Sequence, residues 1–473
     1  MMSLTDMLSP GRLAARSPVI SKINGFLTMP QYIIAVMGLA LLSNLFGLEL
    51  PVYTVFAVLT VYICLFGNDL LPLIPVFLCC YIAPSVYNNP GRNDTTVFSG
   101  AGSIYIGVLG AVIAAACIYR VIRDRRLFFR HTYRLLSGML LLWAAYLLGG
   151  IGSGDQIADV GKNLLFSLLQ GASICLPYLL FSGGVDWRKA RKDYFAWIGF
   201  CMGAALLCQI LWIYLTADVV VNGVIHREQI YTGWGIHNNI GGMLAMMIPF
   251  AFYLATKYRK GWIGTVAGSL FLLGVLLSCS RNAMLTGLAI YFIGIVLMLY
   301  YASNRKGNTI AALICISIAA IAVILFNQQI LRLFSDILAL GFDPNSRDSI
   351  YAQGILLFQK YPLFGGSFFS SEYVPWSWAT NEGFTSFFPG RWHNTFVQIL
   401  ASCGVVGMAA YLIHRLQTLL LVIRDHNKEK FFIGCAILAL LICSLFDCHF
   451  FNIGPTLFYS AALAFTENTS HKN

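Results

Sequence analysis

Arginine and histidine residues at the ends of apolar segments are the side chains of this sequence best suited to chemistry. Arg281 lies in Ser-Cys-Ser-Arg-Asn-Ala (278–283), between two apolar segments with almost no connecting loop. Such a position puts a guanidinium at the boundary of a membrane, where a charge is costly unless it is paired or functional. A snorkelling arginine that reaches lipid phosphates is the structural alternative. We favour a functional role for Arg281, because it lies on the side of the membrane that carries few basic residues.

A second arginine, Arg347, follows Asp-Pro-Asn-Ser (343–346). This pattern is typical of a helix start, with Ser346 as the N-cap. Apolar residues at helical spacing over 350–358 predict a short amphipathic helix after it. A cation in the first turn opposes the helix dipole, and a bound anion would reverse that penalty. A solvated arginine, or one paired with Asp348, is the alternative interpretation.

Two further motifs place polar side chains at the start of apolar segments. Arg-Trp-His-Asn-Thr-Phe (391–396) contains His393, and a histidine can act as a general acid or base near neutral pH. A boundary histidine bonded to a carbonyl is the structural alternative. Ile-His-Asn-Asn-Ile-Gly-Gly (236–242) offers His237 and Asn239, although its glycines equally indicate close helix packing.

The composition shows which elements must position these residues. Of 473 residues, 58% are hydrophobic and 11% are charged, whereas soluble domains average about 45–50% and 25%. So much apolar surface cannot be buried in one water-soluble core. The sequence therefore predicts an all-α polytopic transmembrane helix bundle of about 12–14 spans. The apolar segments lie at 31–48, 50–66, 70–88, 101–119, 135–150, 163–182, 194–216, 239–256, 262–279, 282–302, 308–326, 394–414, 431–446 and 449–466.

The 31 Lys and Arg residues and 20 Asp and Glu residues give a net charge of +11. In a membrane protein such an excess reports orientation rather than nucleic-acid binding. Most basic residues fall in the N-terminal tail and in the connections 120–134, 188–192, 257–260, 305–306 and 415–430. This alternation predicts cytoplasmic N- and C-termini. The basic residues left on the outward side are Arg92, Lys162, Arg227, Arg281, Arg332, Arg347, Lys360 and Arg391.

The 13 cysteines lie almost entirely inside apolar segments, where a thiol behaves as a small hydrophobic group. No cysteine or histidine spacing typical of a metal site occurs, so we expect neither a disulfide framework nor a bound metal or cofactor. The N-terminal 30 residues lack the pattern of a cleavable signal peptide.

The charge and hydropathy patterns predict five regions. The largest polar segment should fold over the outer mouth of the bundle, because loops of this length are uncommon without a function. The regions are a cytoplasmic tail (1–30), a transmembrane bundle (31–326), an extracytoplasmic loop with short helices covering the active site (327–392), C-terminal transmembrane helices (393–466) and a cytoplasmic tail (467–473).

Four motifs together resemble the O-antigen ligase and O-antigen polymerase superfamily of membrane glycosyltransferases. They are Ser-Cys-Ser-Arg-Asn-Ala, Asn-Ser-Arg-Asp (345–348), Tyr-Pro-Leu-Phe-Gly-Gly-Ser (361–367) and the His-Asn pair at 393–394 with Gly-Val-Val-Gly (404–407) about eleven residues later. The resemblance covers about residues 230–415. The first 220 residues match only as a hydrophobic bundle.

The resemblance implies glycan transfer on the outer face of the bacterial cytoplasmic membrane, in the synthesis of lipopolysaccharide or another cell-envelope polysaccharide. The donor would be a glycan on undecaprenyl diphosphate, and the acceptor a hydroxyl of another glycan or glycolipid. Arg281 and Arg347 would stabilise the departing diphosphate, and His393 would take the acceptor proton, which gives inversion at the anomeric carbon. Arg391, Asn394, Asn239 and His237 are the remaining predicted substrate-binding residues.

Two absences agree with a metal-independent reaction. The outward acidic residues form no Asp-x-Asp motif for a metal-bound diphosphate, so arginine would replace the metal. There is also no phosphate-binding loop of the nucleotide triphosphatases, so the energy would come from the donor bond.

Several alternatives stay open at this level. Glu372 or Glu382 could act as the base, with His393 only orienting the acceptor. The superfamily also contains protein O-oligosaccharyltransferases, and the sequence does not separate ligase from polymerase. A lipid-linked oligosaccharide flippase or other transporter is the rival class, but it should carry ionisable residues at its span centres and repeated halves, and the predicted spans show almost none of the former and no repeat.

Overall fold

A computed structural model describes residues 17–84, 100–232, 235–335, 347–372, 390–424 and 427–468. These residues are mostly helical. Their strands form two short antiparallel hairpins, Val220–Val221 with Val224–Ile225 and Tyr231–Thr232 with Gly235–Ile236. The predicted all-α polytopic fold is confirmed.

The α-helices, numbered in chain order, are α1 (Pro18–Leu27), α2 (Pro30–Phe46), α3 (Glu49–Phe66), α4 (Leu73–Ile82), α5 (Gly100–Arg123), α6 (Arg125–Arg130), α7 (Leu136–Leu148), α8 (Val160–Gly184), α9 (Tyr194–Thr216), α10 (His237–Lys257), α11 (Trp262–Leu277), α12 (Arg281–Tyr301), α13 (Arg305–Leu325), α14 (Asn327–Leu333), α15 (Arg347–Lys360), α16 (Thr395–Ile423), α17 (Lys428–Ser444) and α18 (Ile453–Asn468). Every apolar segment predicted from the sequence coincides with one of them. An apolar run in a membrane must satisfy its backbone polar groups internally, and the α-helix does so.

Eight helices among the described residues are long and apolar enough to cross a membrane: α3, α5, α8, α9, α10, α12, α13 and α16. Helices α1 and α2 meet at a bend of 72° and together could form a ninth span. The shorter apolar helices α4, α7 and α11 fall below that length. The figure of twelve to fourteen spans therefore stays a prediction.

The chain forms two compact units. The first contains Met1–Thr132 and Leu180–Ser335, and the second contains Tyr133–Leu179 and Asp336–His471, so the boundary falls inside α8. The five predicted regions follow membrane topology rather than packing, and they stay a prediction. Ser346, Glu382 and the middle of the predicted outer loop lie outside the described residues.

In the first unit α10 is the central helix. It packs against α9, α11 and α12, and 94% of its apolar stretch is buried. Glycines on the neighbouring helices make room for its aromatic rings: Phe250 lies over Gly199, and Phe252 lies against both Gly268 and Gly294. Small residues at helix contacts allow close approach where the lipid itself supplies no hydrophobic driving force.

In the second unit α16 is broken at Gly404, whose φ of 62° and ψ of −158° are not helical. The segment 361–367 fills the break: Val405 N donates to Pro362 O at 2.8 Å, and Gly366 N donates to Ala401 O at 2.8 Å. A Cβ on Gly404 would lie 2.5 Å from the Leu363 carbonyl group. Only glycine combines this conformation with this approach.

One charged residue lies where the sequence did not predict it. Arg415, expected in an inward connection, lies inside α16, which has the length and composition of a membrane span. The preceding residue, His414, is fully buried in the same helix. The helix therefore extends beyond the predicted end of its apolar segment at residue 414, and Arg415 lies within it rather than in a connection.

Candidate active site

The first unit brings together two of the predicted motifs. The hairpin that ends at Ile236 leads directly into α10, which begins at His237. Gly241 lies in the first turns of α10. If it carried a Cβ, that atom would lie 2.3 Å from Ser278 Oγ and 2.7 Å from Ala283 Cβ. The turn that carries Arg281 therefore packs against the first turns of α10, and the glycine predicted to allow close packing does so.

Arg281 is the first residue of α12, as its motif predicts. The N-cap is Ser280, whose side chain accepts a hydrogen bond from Ala283 N, and Cys279 before it has a positive φ of 55°. The side chains of Arg281, His237 and Asn239 are all half-buried. A cation and an imidazole are thus placed at neighbouring helix starts within this unit.

The second unit holds the motif around His393. Trp392 is buried against Ile350, Leu357 and Ala401 in a small apolar cluster. Its backbone N–H donates a hydrogen bond to Gln398 Oε1 at 3.1 Å. His393 follows in the left-handed region, with φ of 50°. A non-glycine residue in that conformation carries strain that its surroundings must maintain, and such residues are frequent at functional sites.

Helix α15 lies on the other side of His393. Tyr351 OH donates to the His393 carbonyl at 3.1 Å. One turn earlier, Arg347 donates through Nη1 to Phe446 O. The predicted helix start is therefore confirmed in position, and it brings Arg347 to the same segment, 445–452, that contacts His393.

The side chain of Asp447 faces His393. His393 Nδ1 lies 3.5 Å from Asp447 Oδ1, and the same carboxylate oxygen accepts a hydrogen bond from Cys448 N at 2.7 Å. The Asp447 side chain is 6% exposed and that of His393 is 27% exposed. The carboxylate is thus enclosed, while part of the imidazole remains accessible.

Burial alone would raise the pKa of Asp447. The contact with His393 and the charges of His449, His393 and Arg391 outweigh it, and they hold that pKa well below its usual range. Burial lowers the pKa of the neighbouring His449. The carboxylate of Asp447 therefore stays ionised beside His393.

Arg391 completes the cluster. Its Nη1 donates to Asn452 Oδ1, at the far end of the short 3₁₀ turn His449–Phe451. Two guanidinium groups, those of Arg347 and Arg391, thus border the segment that carries Asp447. Within the described part of the chain, His, Cys, Asp and Glu form no group of three that could hold a metal ion.

Residues 266–412 match the family model described as O-antigen ligase. This match, over residues 266–412, supports the resemblance to the O-antigen ligase and polymerase superfamily. The resemblance predicted from the sequence motifs is confirmed, and the matched region includes Arg281, Arg347, Arg391 and His393. No curated protein matches the chain.

The O-antigen ligase match and the eight long apolar helices of the described residues support an integral membrane protein. The matched region ends before Asp447 and begins after Asn239. Part of each cluster described above therefore lies outside the residues that define the family.

The most specific residues of the resemblance have structural roles in this O-antigen ligase region. Gly365 and Gly404 both have positive φ, and both lie where segment 361–367 meets α16. Asn394 is the N-cap of α16: its Oδ1 accepts from Phe396 N and Val397 N, and its Nδ2 donates to Leu445 O at 2.8 Å. The predicted contact of Asn394 with substrate stays a prediction.

Glu372, the alternative base, is engaged elsewhere. Its carboxylate forms an ion pair with Lys360 at the end of α15 and accepts a hydrogen bond from Tyr361 OH at 3.2 Å. These two contacts hold the Glu372 carboxylate at the end of α15. The other alternative, Glu382, lies outside the described residues.

Sequence reasoning assigned no role to Tyr351, Asp447, His449 or Asn452. The last three lie in Phe-Asp-Cys-His-Phe-Phe-Asn (446–452), between α17 and α18. The available signal for a functional role was an acidic residue and a histidine, Asp447 and His449, within one short connection. The sequence pattern predicts that a span begins within this connection, because five of its seven residues are apolar, cysteine or asparagine.

Proposed function

We propose that this protein transfers a glycan from an undecaprenyl-diphosphate carrier to a hydroxyl group of an acceptor glycan or glycolipid, on the outer face of the bacterial cytoplasmic membrane. The reaction is direct displacement with inversion and needs no metal. Both termini are cytoplasmic. The family match supports an O-antigen ligase-type membrane enzyme, and the site in the second unit supports this chemistry.

The observation that carries the proposal is the pairing of His393 with buried Asp447. A carboxylate facing Nδ1 favours the tautomer with the proton on that nitrogen, so Nε2 is left as the basic atom. It also stabilises the imidazolium that forms when Nε2 takes up a proton. His393 is thereby fitted to act as a general base.

The proton and electron movements follow from this assignment. The acceptor hydroxyl gives its proton to His393 Nε2 while its oxygen forms a bond to the anomeric carbon. The bond from that carbon to the diphosphate oxygen breaks, and the electron pair leaves with the diphosphate. Attack opposite the leaving group inverts the anomeric carbon, and the imidazolium later releases its proton to water.

The leaving diphosphate gains negative charge, and fixed cations stabilise such charge in the transition state. Arg347 and Arg391 border the His393–Asp447 pair, and a planar guanidinium can bind phosphate through two parallel hydrogen bonds. Arg281 is proposed as a further phosphate ligand on the grounds of its motif. His237 and Asn239, next to the Arg281 turn in the first unit, are proposed to bind sugar.

The test is deletion of the gene followed by complementation. The wild-type gene and a His226→Ala control, altered in another outward histidine, should restore the surface glycan, whereas His393→Ala should restore none while its protein reaches the membrane at the wild-type level. Full restoration by His393→Ala would contradict the proposal. Long lipid-linked chains that accumulate unattached in the deletion strain indicate a ligase, single repeats indicate a polymerase, and loss of protein glycans indicates a protein O-oligosaccharyltransferase.

A further inference from the structure

Arg415 has an unusual environment in the second unit. It lies eleven residues after the break at Gly404 in α16, or about 16 Å along the helix axis. Its Nε, Nη1 and Nη2 atoms are all buried. An arginine that only snorkels would place these atoms in water or among headgroups.

Aromatic rings surround the guanidinium. Its Cζ lies 4.1 Å from the ring centre of Phe450, 4.6 Å from that of Tyr411 and 4.8 Å from that of Tyr459. The Tyr459 hydroxyl is held in turn by His414 Nε2 at 2.9 Å and by Thr418 Oγ1 at 3.1 Å. Rings in such positions attract a cation through their negative faces, most strongly where water is excluded.

Phe450 joins this cage to the candidate active site. It is the central residue of the 3₁₀ turn His449–Phe451 and is fully buried. Its carbonyl accepts hydrogen bonds from Gln170 Nε2 and from Thr456 Oγ1, each at 3.1 Å. The turn is therefore fixed both at its backbone and at its central ring.

Both ends of the same turn carry site residues. Asp447, before it, faces His393, and Asn452, after it, accepts the hydrogen bond of Arg391. The turn closes on itself through Phe451 N to Cys448 O at 2.9 Å and Asn452 N to His449 O at 3.1 Å. A shift of Phe450 would move both contacts together.

We infer that Arg415 is a positioning residue: through the Phe450 ring it sets the place of Asp447 against His393. A charged residue inside a membrane helix is costly, and such residues are commonly functional. An apolar residue could fill this volume without that cost, but it would not hold the ring by its charge. This inference rests on the proposed function of the His393–Asp447 pair.

A double-mutant cycle tests the inference. With purified protein, a lipid-linked glycan donor and an acceptor, kcat and donor KM are measured for wild type, Arg415→Met, Asp447→Asn and the double variant. We expect Arg415→Met to lower kcat about ten-fold or more with a nearly unchanged KM. In the Asp447→Asn background the same substitution should cost less than about two-fold, because residues that act through one contact are not additive.

Two further variants keep the test decisive. Phe450→Leu removes the ring from the turn, and it should lower kcat in the wild-type and Asp447→Asn backgrounds as Arg415→Met does. This variant tests the inference if Arg415→Met does not fold. Arg424→Met, at the exposed end of the same helix, should leave kcat unchanged. Equal losses from Arg415→Met or Phe450→Leu in both backgrounds, or no loss in either, would overturn the inference. A wild-type protein without transfer activity would instead overturn the proposed function, and this inference with it.

Discussion

The two clusters differ in the chemistry that each contains. In the first unit, Arg281 and His237 lie at the starts of two helices. These helix starts pack together because α10 has a glycine where they meet. In the second unit, a buried carboxylate, a partly accessible histidine and two arginines surround one short turn. In the second combination, a histidine faces a buried carboxylate. Under the proposed function, changes in the second unit should therefore act on kcat, and changes at Arg281 should act more on donor binding.

The largest effect should come from Asp447→Asn, which tests the second unit directly. Without the carboxylate, the imidazolium of His393 loses its stabilising charge and the tautomer is no longer fixed. We expect kcat to fall on the order of 10²-fold or more, measured as glycan transfer by the purified protein. Asp159→Asn, which alters an aspartate of the same unit that is paired with Lys162, is the control. Unchanged kcat in Asp447→Asn would show that His393 works without this partner.

The pKa of Asp447 also has a consequence for pH. Because that pKa is held below its usual range, the carboxylate contributes stability above about pH 4, the ordinary range of an aspartate, and this contribution disappears only as the pH falls through the lower folded-state value. Wild-type thermal stability should thus lose none of this contribution between pH 8 and pH 5.

Arg347→Ala should have the next largest effect, a fall in kcat of about 10²-fold, since it removes a fixed cation from the departing diphosphate. Arg347→Lys should recover part of the loss, because it keeps the charge without the planar fork. Lys360→Ala, at the other end of the same helix, is the matched control. Equal activity in Arg347→Ala and Lys360→Ala would remove Arg347 from the reaction.

The sequence predicted the fold to a large extent, because each helix of a membrane bundle must be apolar over its own length. The start of α12 at Arg281 and the helix beginning at Arg347 were likewise local signals. The pairing of His393 with Asp447 was not local: the two residues are 54 positions apart, and the whole of α16 and α17 lies between them. Tertiary contacts of that kind, like the ring cage of Arg415, depend on how α16 breaks at Gly404 and on how the following helices return.

Arg281→Ala should have a smaller effect on kcat than Arg347→Ala, and it should raise the donor KM about ten-fold. A charge contact made equally in the bound donor and in the transition state appears in KM. Arg332→Ala, another outward arginine of the first unit, whose Nη2 donates to Asn222 O, is the control. If Arg281→Ala lowered kcat as much as Arg347→Ala without raising KM, the proposed difference between the two units would be wrong.

The smallest effect should come from Glu372→Gln. Its carboxylate is paired with Lys360 and Tyr361, so its loss should lower kcat less than about three-fold, in the range of an exposed ion pair. The rate of transfer by the purified variant measures this. A loss as large as that of Asp447→Asn would make Glu372 the base and leave His393 as an orienting residue.

The most direct test of the account is the rate of glycan transfer by purified wild-type and His393→Ala proteins, each assayed with EDTA present. The proposed base is a histidine and the proposed electrophilic groups are arginines, so the wild-type rate should be unaffected by EDTA and the variant should show no transfer above background. Restoration of an EDTA-inhibited rate by Mg²⁺ or Mn²⁺, or a wild-type rate in His393→Ala, would contradict it.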